Sequence, residues 1–142
     1  NIANSWINAA ARLPIRLALA CPEGYRPDRR ILARALKNNG ADILLTDRPE
    51  EAVKGADIVY TDVWASMGQE HEQEERAGRF QRFQVNERLL KHARKDALVM
   101  HCLPAHRGEE ITAEVLDGPQ SIVVDQAENR LHVQKAILEI LL

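Results

Sequence analysis

The stretch Leu98-Val99-Met100-His101-Cys102-Leu103-Pro104-Ala105-His106-Arg107 is the part of the chain from which its fold is best inferred. An apolar run typical of a buried strand ends here in a histidine–cysteine pair, a proline, a second histidine and an arginine. Polar, reactive side chains at the carboxyl end of a buried strand are typical of binding sites in α/β proteins. A strand that ends in an ordinary polar turn shows the same pattern, so this stretch alone leaves both interpretations open.

The composition is that of an ordinary globular domain. The 142 residues fit one domain, with 45% hydrophobic residues, 28% charged residues and a net charge of −2. The interspersed charges argue against a nucleic-acid partner or a polybasic membrane anchor, and no apolar run is long enough to cross a bilayer. The two cysteines, Cys21 and Cys102, form no disulfide framework, so we expect a cytoplasmic protein with free thiols.

Both ends of the chain resemble interior positions of a longer protein. Asn1 is not a methionine and stands at the beginning of a predicted helix, while Leu141 and Leu142 end an apolar helical run. We therefore expect the chain to be a piece, or a processed product, of a larger protein.

Short apolar runs alternate with helical patterns along the chain. The patterns predict strands at 15–21, 41–46, 57–64 and 97–103, a short extended run at 121–125, and helices at 2–13, 29–39, 49–55, 87–95, 109–116 and 127–142. The charge-rich segment 69–84 is expected to stay mobile, as a lid would. This alternation predicts an α/β fold with a doubly wound, Rossmann-like parallel sheet in three αβα layers, whose ligands bind beyond the strands' carboxyl ends.

The connection after the predicted strand 57–64 combines groups that suit a zwitterion. The Asp62 carboxylate could pair with an ammonium group, while the Ser66 hydroxyl and the backbone at Met67-Gly68 could donate to a carboxylate. For any one of these residues, an ordinary solvated loop is the commoner case. Three suitable groups within a few residues at a strand end favour a binding site.

Cys102 and His101 are neighbours in a strand, so their side chains point to opposite faces and do not predict a nucleophilic dyad. A buried, inert cysteine is the commoner case, although a thiol at a strand end could contact a substrate. His101 is interpreted as structural in preference to a general base. His101, Cys102 and His106 lie close in sequence, but no second group has metal-ligand spacing, and no Gly-x-Gly-x-x-Gly or Walker pattern is present. We expect neither a metal nor a cofactor.

Two residues near helix ends suggest an anion. Arg130 lies in the first turn of the helix predicted at 127–142, where a cation opposes the macrodipole, so a phosphate or carboxylate partner is one interpretation and simple solvation the other. Asn1 and Asn4 open the first helix, whose N–H groups favour an anion, although plain helix capping explains them equally well.

Three segments together resemble the ornithine carbamoyltransferase family. They are Asp62-Val63-Trp64-Ala65-Ser66-Met67-Gly68-Gln69-Glu70, His101-Cys102-Leu103-Pro104-Ala105-His106-Arg107-Gly108 and Ala127-Glu128-Asn129-Arg130. The opening Asn1-Ile2-Ala3-Asn4-Ser5 is similar to the end of the family's Gly-Asp-Gly-Asn-Asn segment. The Ser-Met-Gly loop marks the members that use ornithine, and aspartate carbamoyltransferases carry His-Pro-Leu-Pro in place of His-Cys-Leu-Pro.

The resemblance implies carbamoyl transfer from carbamoyl phosphate to the δ-amino group of L-ornithine, with citrulline and phosphate as products. The implied ornithine contacts are Asn1, Asp62, Ser66 and the Met67 backbone. Cys102 and the Leu103 carbonyl would contact the carbamoyl amide, and Arg130 would reach carbamoyl phosphate; Cys102 and Arg130 are the implied catalytic residues. Positioning and charge stabilisation carry such a reaction without a metal.

The resemblance covers only the family's second, ornithine-binding domain. The Ser-Thr-Arg-Thr-Arg segment that holds carbamoyl phosphate is absent from residues 1–142, as is the first, central strand of the sheet. The chain is therefore expected to be inactive alone, to expose an apolar face on its last helix, and to form a homotrimer in arginine biosynthesis only as part of the intact protein. A carbamoyltransferase for another amine or an acylated ornithine, and an inert binding or assembly module, are the alternatives.

Overall fold

The computed structural model describes residues 1–39, 41–65 and 73–142, with the side chains of residues 38, 39, 73 and 74 excepted. The described residues form two compact units, Asn1–Lys54 and Gly55–Leu142. No helix among them has the length and the apolar character that a membrane span requires.

The first unit consists of two βα segments preceded by a helix. Its elements are α1 (Ile2–Ala10), β1 (Leu17–Ala20), α2 (Arg29–Asn39), β2 (Ile43–Thr46) and α3 (Pro49–Val53). The Asp28 carboxylate caps α2, because its Oδ1 accepts hydrogen bonds from the N–H groups of Arg30 at 2.7 Å and Ile31 at 3.2 Å. The helices bury Ile7, Ala10, Ala35 and Val53.

The second unit holds the residues around the predicted active strand. Its elements are β3 (Ile58–Thr61), α4 (Gln73–Phe80), a 3₁₀ turn (Gln81–Phe83), α5 (Glu87–Leu90), β4 (Leu98–His101), α6 (Ala113–Leu116) and α7 (Val123–Leu141). Asn86 caps α5 through its Oδ1, which accepts the Leu89 N–H at 3.0 Å. The largest fully buried apolar side chains of its core are Ile111 and Val99, neither of which has any exposed surface.

The described strands pair as two parallel ribbons. β1 pairs with β2 from Leu17 opposite Ile43 to Ala20 opposite Thr46, and β3 pairs with β4 from Ile58 opposite Leu98 to Thr61 opposite His101. Each pair is joined by a connection that contains helix, as parallel strands require. The parallel α/β class predicted from the sequence is therefore confirmed.

Two predictions of local structure were wrong. The run 121–125 is not a strand: Ser121 makes a single parallel bridge with Val99, and α7 begins at Val123. The β-branched Ile122, Val123 and Val124 favour a strand in the sequence, but Ile122 is the N-cap of α7 and the other two residues open the helix, since tertiary context overrides local propensity. The helix predicted at 109–116 is shorter, and residue 110 lies in the turn before it.

The charge-rich segment 69–84, which is predicted to be mobile, is described only in part. Residues 66–72 lie outside the described part, but residues 73–83 form α4 and the 3₁₀ turn and bury Phe83. The ring of Phe80 lies 6.3 Å from that of Trp64 and 6.1 Å from that of Phe83. These aromatic contacts attach the described part of the segment to the core, despite its charges.

The last helix exposes its apolar side chains, as predicted. Val123 is the buried residue of α7, whereas Leu131 is 60% exposed and Ile140 82% exposed. The other exposed large apolar residues of the chain's end are Val124, Val133, Ile137, Leu138, Leu141 and Leu142. An isolated helix gains little stability from propensity alone, so the later turns of α7 are weakly held in residues 1–142.

We predict that the backbone amides of α7 from Leu131 to Leu138 exchange with deuterium faster than those of β3 and β4 in the purified chain. The strands lose their hydrogen bonds only when the core opens, whereas the helix can fray without exposing new apolar surface. Hydrogen exchange followed by mass spectrometry or NMR measures this directly. Equal protection of α7 and the strands would contradict the prediction.

Candidate functional site at the carboxyl ends of β3 and β4

The ends of β3 and β4 bring together two residues that lie 40 positions apart. Because Thr61 pairs with His101, the next residues, Asp62 and Cys102, leave the two strands side by side. The Cys102 thiol donates a hydrogen bond to Asp62 Oδ1, with Sγ and Oδ1 2.9 Å apart. The same oxygen accepts the Val63 N–H at 2.8 Å. Among the described residues, no hydrogen bond reaches the other carboxylate oxygen of Asp62.

The surroundings of Cys102 keep its thiol protonated. Burial raises the pKa of Cys102 to about 11, and the hydrogen bond to Asp62 and the negative charge of that carboxylate add to this effect. Tyr60, the neighbouring phenol, has a pKa raised to about 12 by burial and by Cys102. A thiolate is the nucleophilic form of cysteine, so at neutral pH Cys102 acts as a hydrogen-bond donor.

Gln126, in the first turns of α7, connects the two strand ends. Its side-chain oxygen accepts the backbone N–H of His101 at 3.0 Å, and its Nε2 lies 3.4 Å from the Tyr60 hydroxyl. The amide therefore satisfies the last N–H of β4 and orients the phenol beside Cys102. α7 thus supports the strand ends even though most of its length is exposed.

A buried histidine–glutamate pair holds the loop that follows β4. The side chains of His101 and Glu110 have no exposed surface, and His101 Nε2 lies 3.0 Å from Glu110 Oε1. The Leu103 N–H donates to His101 Nδ1 at 2.8 Å, which assigns the remaining ring proton to Nε2 and makes that nitrogen the donor to Glu110. His101 is therefore a neutral structural histidine, in agreement with its interpretation from the sequence.

The Glu110 carboxylate is held in its ionised form. Burial raises its pKa, but the hydrogen bonds from His101 and from the His106 N–H, at 2.7 Å, together outweigh burial and lower the pKa below its ordinary value. Both bonds reach Oε1, and among the described residues no donor reaches the buried Oε2. Buried carboxylates with one unbonded oxygen are uncommon in folded proteins.

The same pair fixes the backbone of Leu103. This residue has a φ of +55°, and the peptide bond from it to Pro104 is cis. A left-handed conformation costs a residue other than glycine about 1–3 kcal/mol, so the surrounding structure has to hold it. The hydrogen bond from the Leu103 N–H to the buried His101 ring supplies part of this restraint. At the far side of the loop, Arg107 forms a bidentate pair with Asp117 at 2.8 and 3.0 Å.

The remaining predicted site residues are Asn1, Arg130, Ser66 and Met67. Asn1 caps α1 in the first unit, where its Oδ1 accepts the Ile2 N–H at 2.8 Å. Arg130 is exposed and is the eighth residue of α7, so the prediction that it occupies a first turn against the helix dipole was wrong. That error follows from placing the helix start at residue 127. Ser66 and Met67 lie outside the described residues.

Three residues of this site, Tyr60, Glu110 and Gln126, carry no signal that selects them from the sequence alone. Gln126 stood in a quoted motif, yet an amide in a helix carries no signal of its own. The pattern places Tyr60 in a predicted strand and Glu110 in the short helix predicted at 109–116. A glutamate nine residues after a buried histidine indicates a hydrogen-bonded pair only if the chain between the two residues turns back. Whether the chain turns back is a tertiary property.

A carboxylate and a thiol at the carboxyl ends of two parallel strands lie where α/β domains of the doubly wound class bind small molecules. Residues 1–141 match the family model described as the aspartate/ornithine carbamoyltransferase Asp/Orn binding domain. The chain therefore belongs to the aspartate/ornithine carbamoyltransferase family.

Curated and solved relatives agree with this assignment. An ornithine carbamoyltransferase of Syntrophus aciditrophicus is 70% identical over the whole chain, which covers 47% of that protein. The ornithine carbamoyltransferase structure from Pyrococcus furiosus is 52% identical with a TM-score of 0.89, over 97% of this chain and 45% of that one. A solved N-acetyl-L-ornithine transcarbamylase is 34% identical with a TM-score of 0.82, and the match covers 99% of this chain and 44% of that one. The chain spans about half the length of the curated relatives it matches.

We predict that replacing Asp62 with Asn lowers the pKa of Cys102 from about 11 toward its ordinary value of 9.0, because the variant removes the negative charge that disfavours the thiolate. In a Cys21→Ser background, the rate of alkylation by iodoacetamide would then rise at a lower pH than in the parent. Asp57→Asn, which removes an exposed aspartate of the same unit, is the matched control. An unchanged pH profile in Asp62→Asn would contradict the assignment.

We also predict that Glu110→Ala destabilises the second unit by about 3 kcal/mol, since it leaves the buried His101 ring without its acceptor. Glu109→Ala, at the neighbouring and partly exposed carboxylate, should stay within about 0.5 kcal/mol of the parent. Urea unfolding in a Trp6→Phe background, followed by the fluorescence of Trp64, reports on this unit. Equal effects of the two variants would show that the buried pair does not hold the loop.

Proposed function

We propose that this chain is the ornithine-binding part of an ornithine carbamoyltransferase, which transfers the carbamoyl group of carbamoyl phosphate to the δ-amino group of L-ornithine and releases citrulline and phosphate. The observation that carries the proposal is the hydrogen bond between Cys102 and Asp62 at two neighbouring strand ends. It unites two of the three motifs that resemble the family. The relative with 70% identity, itself named ornithine carbamoyltransferase, supports the same substrate.

Asp62 is proposed to bind the α-amino group of ornithine. Its Oδ1 is occupied by the Cys102 thiol and the Val63 N–H, so Oδ2 is the oxygen available to an ammonium group. A charge-assisted hydrogen bond of this kind is stronger than a neutral one. The proposed contacts of the α-carboxylate are the Ser66 hydroxyl and the Met67 backbone, with Asn1 as a further ornithine contact; these three are carried by the resemblance.

Cys102 and Leu103 are proposed to hold the carbamoyl group. A thiol with a pKa of about 11 keeps its proton at neutral pH, so it serves the amide as a hydrogen-bonding partner without forming a covalent intermediate. The Leu103 carbonyl would accept from the amide N–H₂, and its position depends on the His101 ring through the Leu103 N–H. The exposed Arg130 guanidinium is the proposed contact of the phosphate.

The chemistry then needs orientation and charge stabilisation. The uncharged δ-amine attacks the carbonyl carbon, the bond from that carbon to the phosphate oxygen breaks, and the amine loses a proton as citrulline forms. Holding amine and carbonyl at reacting distance supplies much of the acceleration, and the positive charge of Arg130 stabilises the departing phosphate. No metal or cofactor takes part in this mechanism.

Since the chain spans about half the length of its relatives, we propose that a further carbamoyl-phosphate-binding domain completes the site. Homotrimer formation, a cytoplasmic location and a role in arginine biosynthesis are proposed for the intact enzyme from the resemblance to the family. Residues 1–142 alone are proposed to be inactive.

The proposal predicts that a chimera, in which this chain follows the unmatched remainder of the Syntrophus aciditrophicus relative, makes citrulline from ornithine and carbamoyl phosphate, whereas residues 1–142 alone do not. Asp62→Asn in the chimera should raise KM for ornithine at least about tenfold, because a hydrogen bond to a charged group contributes about 1.5–3 kcal/mol. Colorimetric citrulline assays measure both effects, and Asp57→Asn is the matched control.

Three results would each contradict this proposal. They are citrulline formation by residues 1–142 alone at the rate of the chimera, equal KM values in Asp62→Asn and Asp57→Asn, and preferential carbamoylation of N-acetyl-L-ornithine. The last result would favour the acylated-ornithine alternative. A folded chimera that binds neither substrate in calorimetry would favour an inert assembly module.

A further inference from the structure

The loop after β4 carries a cluster of side chains that could ligate a metal ion, formed by His106, Glu109 and Glu110. His106 Nδ1 lies 3.9 Å from Glu109 Oε2 and 3.8 Å from Glu110 Oε2. One ligand atom from each residue lies within 4.8 Å of the other two. None of the three residues is among the proposed substrate contacts.

Glu110 Oε2 is the unusual member of this cluster. Its side chain has no exposed surface, its other oxygen is already bonded to His101 and to the His106 N–H, and Oε2 itself has no donor. The atom that Oε2 approaches is the Nδ1 of a half-exposed histidine. A buried, ionised oxygen of this kind suits a cation, because two hydrogen bonds already fix the carboxylate and only Oε2 is left to coordinate.

We propose that His106 Nδ1, a carboxylate oxygen of Glu109 and Glu110 Oε2 bind a divalent first-row transition-metal ion, with Zn²⁺ as the best fit. One imidazole and two carboxylates are a donor set that Zn²⁺ accepts, and three protein ligands leave a fourth position for water. Two carboxylates also balance the charge of the ion. The imidazole nitrogen and the small number of ligands disfavour Ca²⁺ and Mg²⁺.

Two of the three distances between the ligand atoms are close to those of such a site, and the third is within 4.8 Å. Donor atoms about 2.0–2.1 Å from a tetrahedral ion lie about 3.3–3.5 Å from one another. The pairs that include His106 Nδ1 have to approach by about half an ångström from 3.8 and 3.9 Å. His106 and Glu109 are partly exposed and can make this adjustment, whereas the buried Glu110 stays fixed.

Direct titration of the purified chain with Co²⁺ and Zn²⁺ tests the proposal. We expect the visible absorption bands of one bound Co²⁺ ion, without a thiolate charge-transfer band, and displacement of Co²⁺ by Zn²⁺. His106→Ala and Glu109→Gln should each weaken binding at least about tenfold. Even the loss of a residue that only holds a ligand in place weakens metal sites about 10–100-fold. Both residues are partly exposed, so the variants should fold, and circular dichroism verifies this.

The matched control is His132→Ala on α7. His132 Nε2 also lies near a carboxylate, at 3.3 Å from Glu128 Oε1, but both side chains are exposed and no buried oxygen faces them. Metal affinity should not change in this variant. Absence of Co²⁺ binding by the parent chain, unchanged affinity in His106→Ala, loss of binding in His132→Ala, or a thiolate band would each overturn the proposal. Because no substrate contact is altered, these outcomes are independent of the citrulline assay.

Discussion

The parallel register of β3 and β4 is the constraint on which the candidate site depends. Thr61 lies opposite His101, so Asp62 and Cys102 leave the sheet together and their side chains meet within hydrogen-bond distance. A shift of either strand by one residue would turn the side chains of that strand to the opposite face and separate Asp62 from Cys102. The buried Val59 and Val99 oppose such a shift, because it would move them out of the core.

The ends of these strands are stabilised by buried polar groups. His101 accepts the Leu103 N–H and donates to Glu110, while Gln126 accepts the N–H of His101. Each bond satisfies a group that burial would otherwise leave unpaired, and together they fix the loop that carries Cys102. The carboxylate that completes this network is the one whose second oxygen faces His106. One glutamate thus joins the support of the proposed substrate site to the proposed cation site.

Electrostatics within this network determine what Cys102 can do. A cysteine near a cation or an exposed helix start has a low pKa and reacts readily. Cys102 is instead partly buried beside a carboxylate, which stabilises the thiol and disfavours the thiolate. Cys102 therefore acts as a polar contact and not as a nucleophile. The proposed carbamoyl transfer depends on the orientation of the two substrates.

The sequence by itself determined the α/β class, the strands that carry the site and the assignment of Asp62 and Cys102 to one edge, because hydrophobic runs and caps are local signals. The local pattern failed at the start of α7, where β-branched residues favour a strand and the tertiary structure has a helix. This error misplaced Arg130 in a first turn. The proposed metal site was not predicted, because His106 was grouped with nearby histidines and cysteines. Glu109 and Glu110 were placed on a helix instead. The tertiary structure decided the roles of Tyr60, Gln126 and Glu110, because each acts through a partner far away in sequence, and no local pattern encodes such a contact.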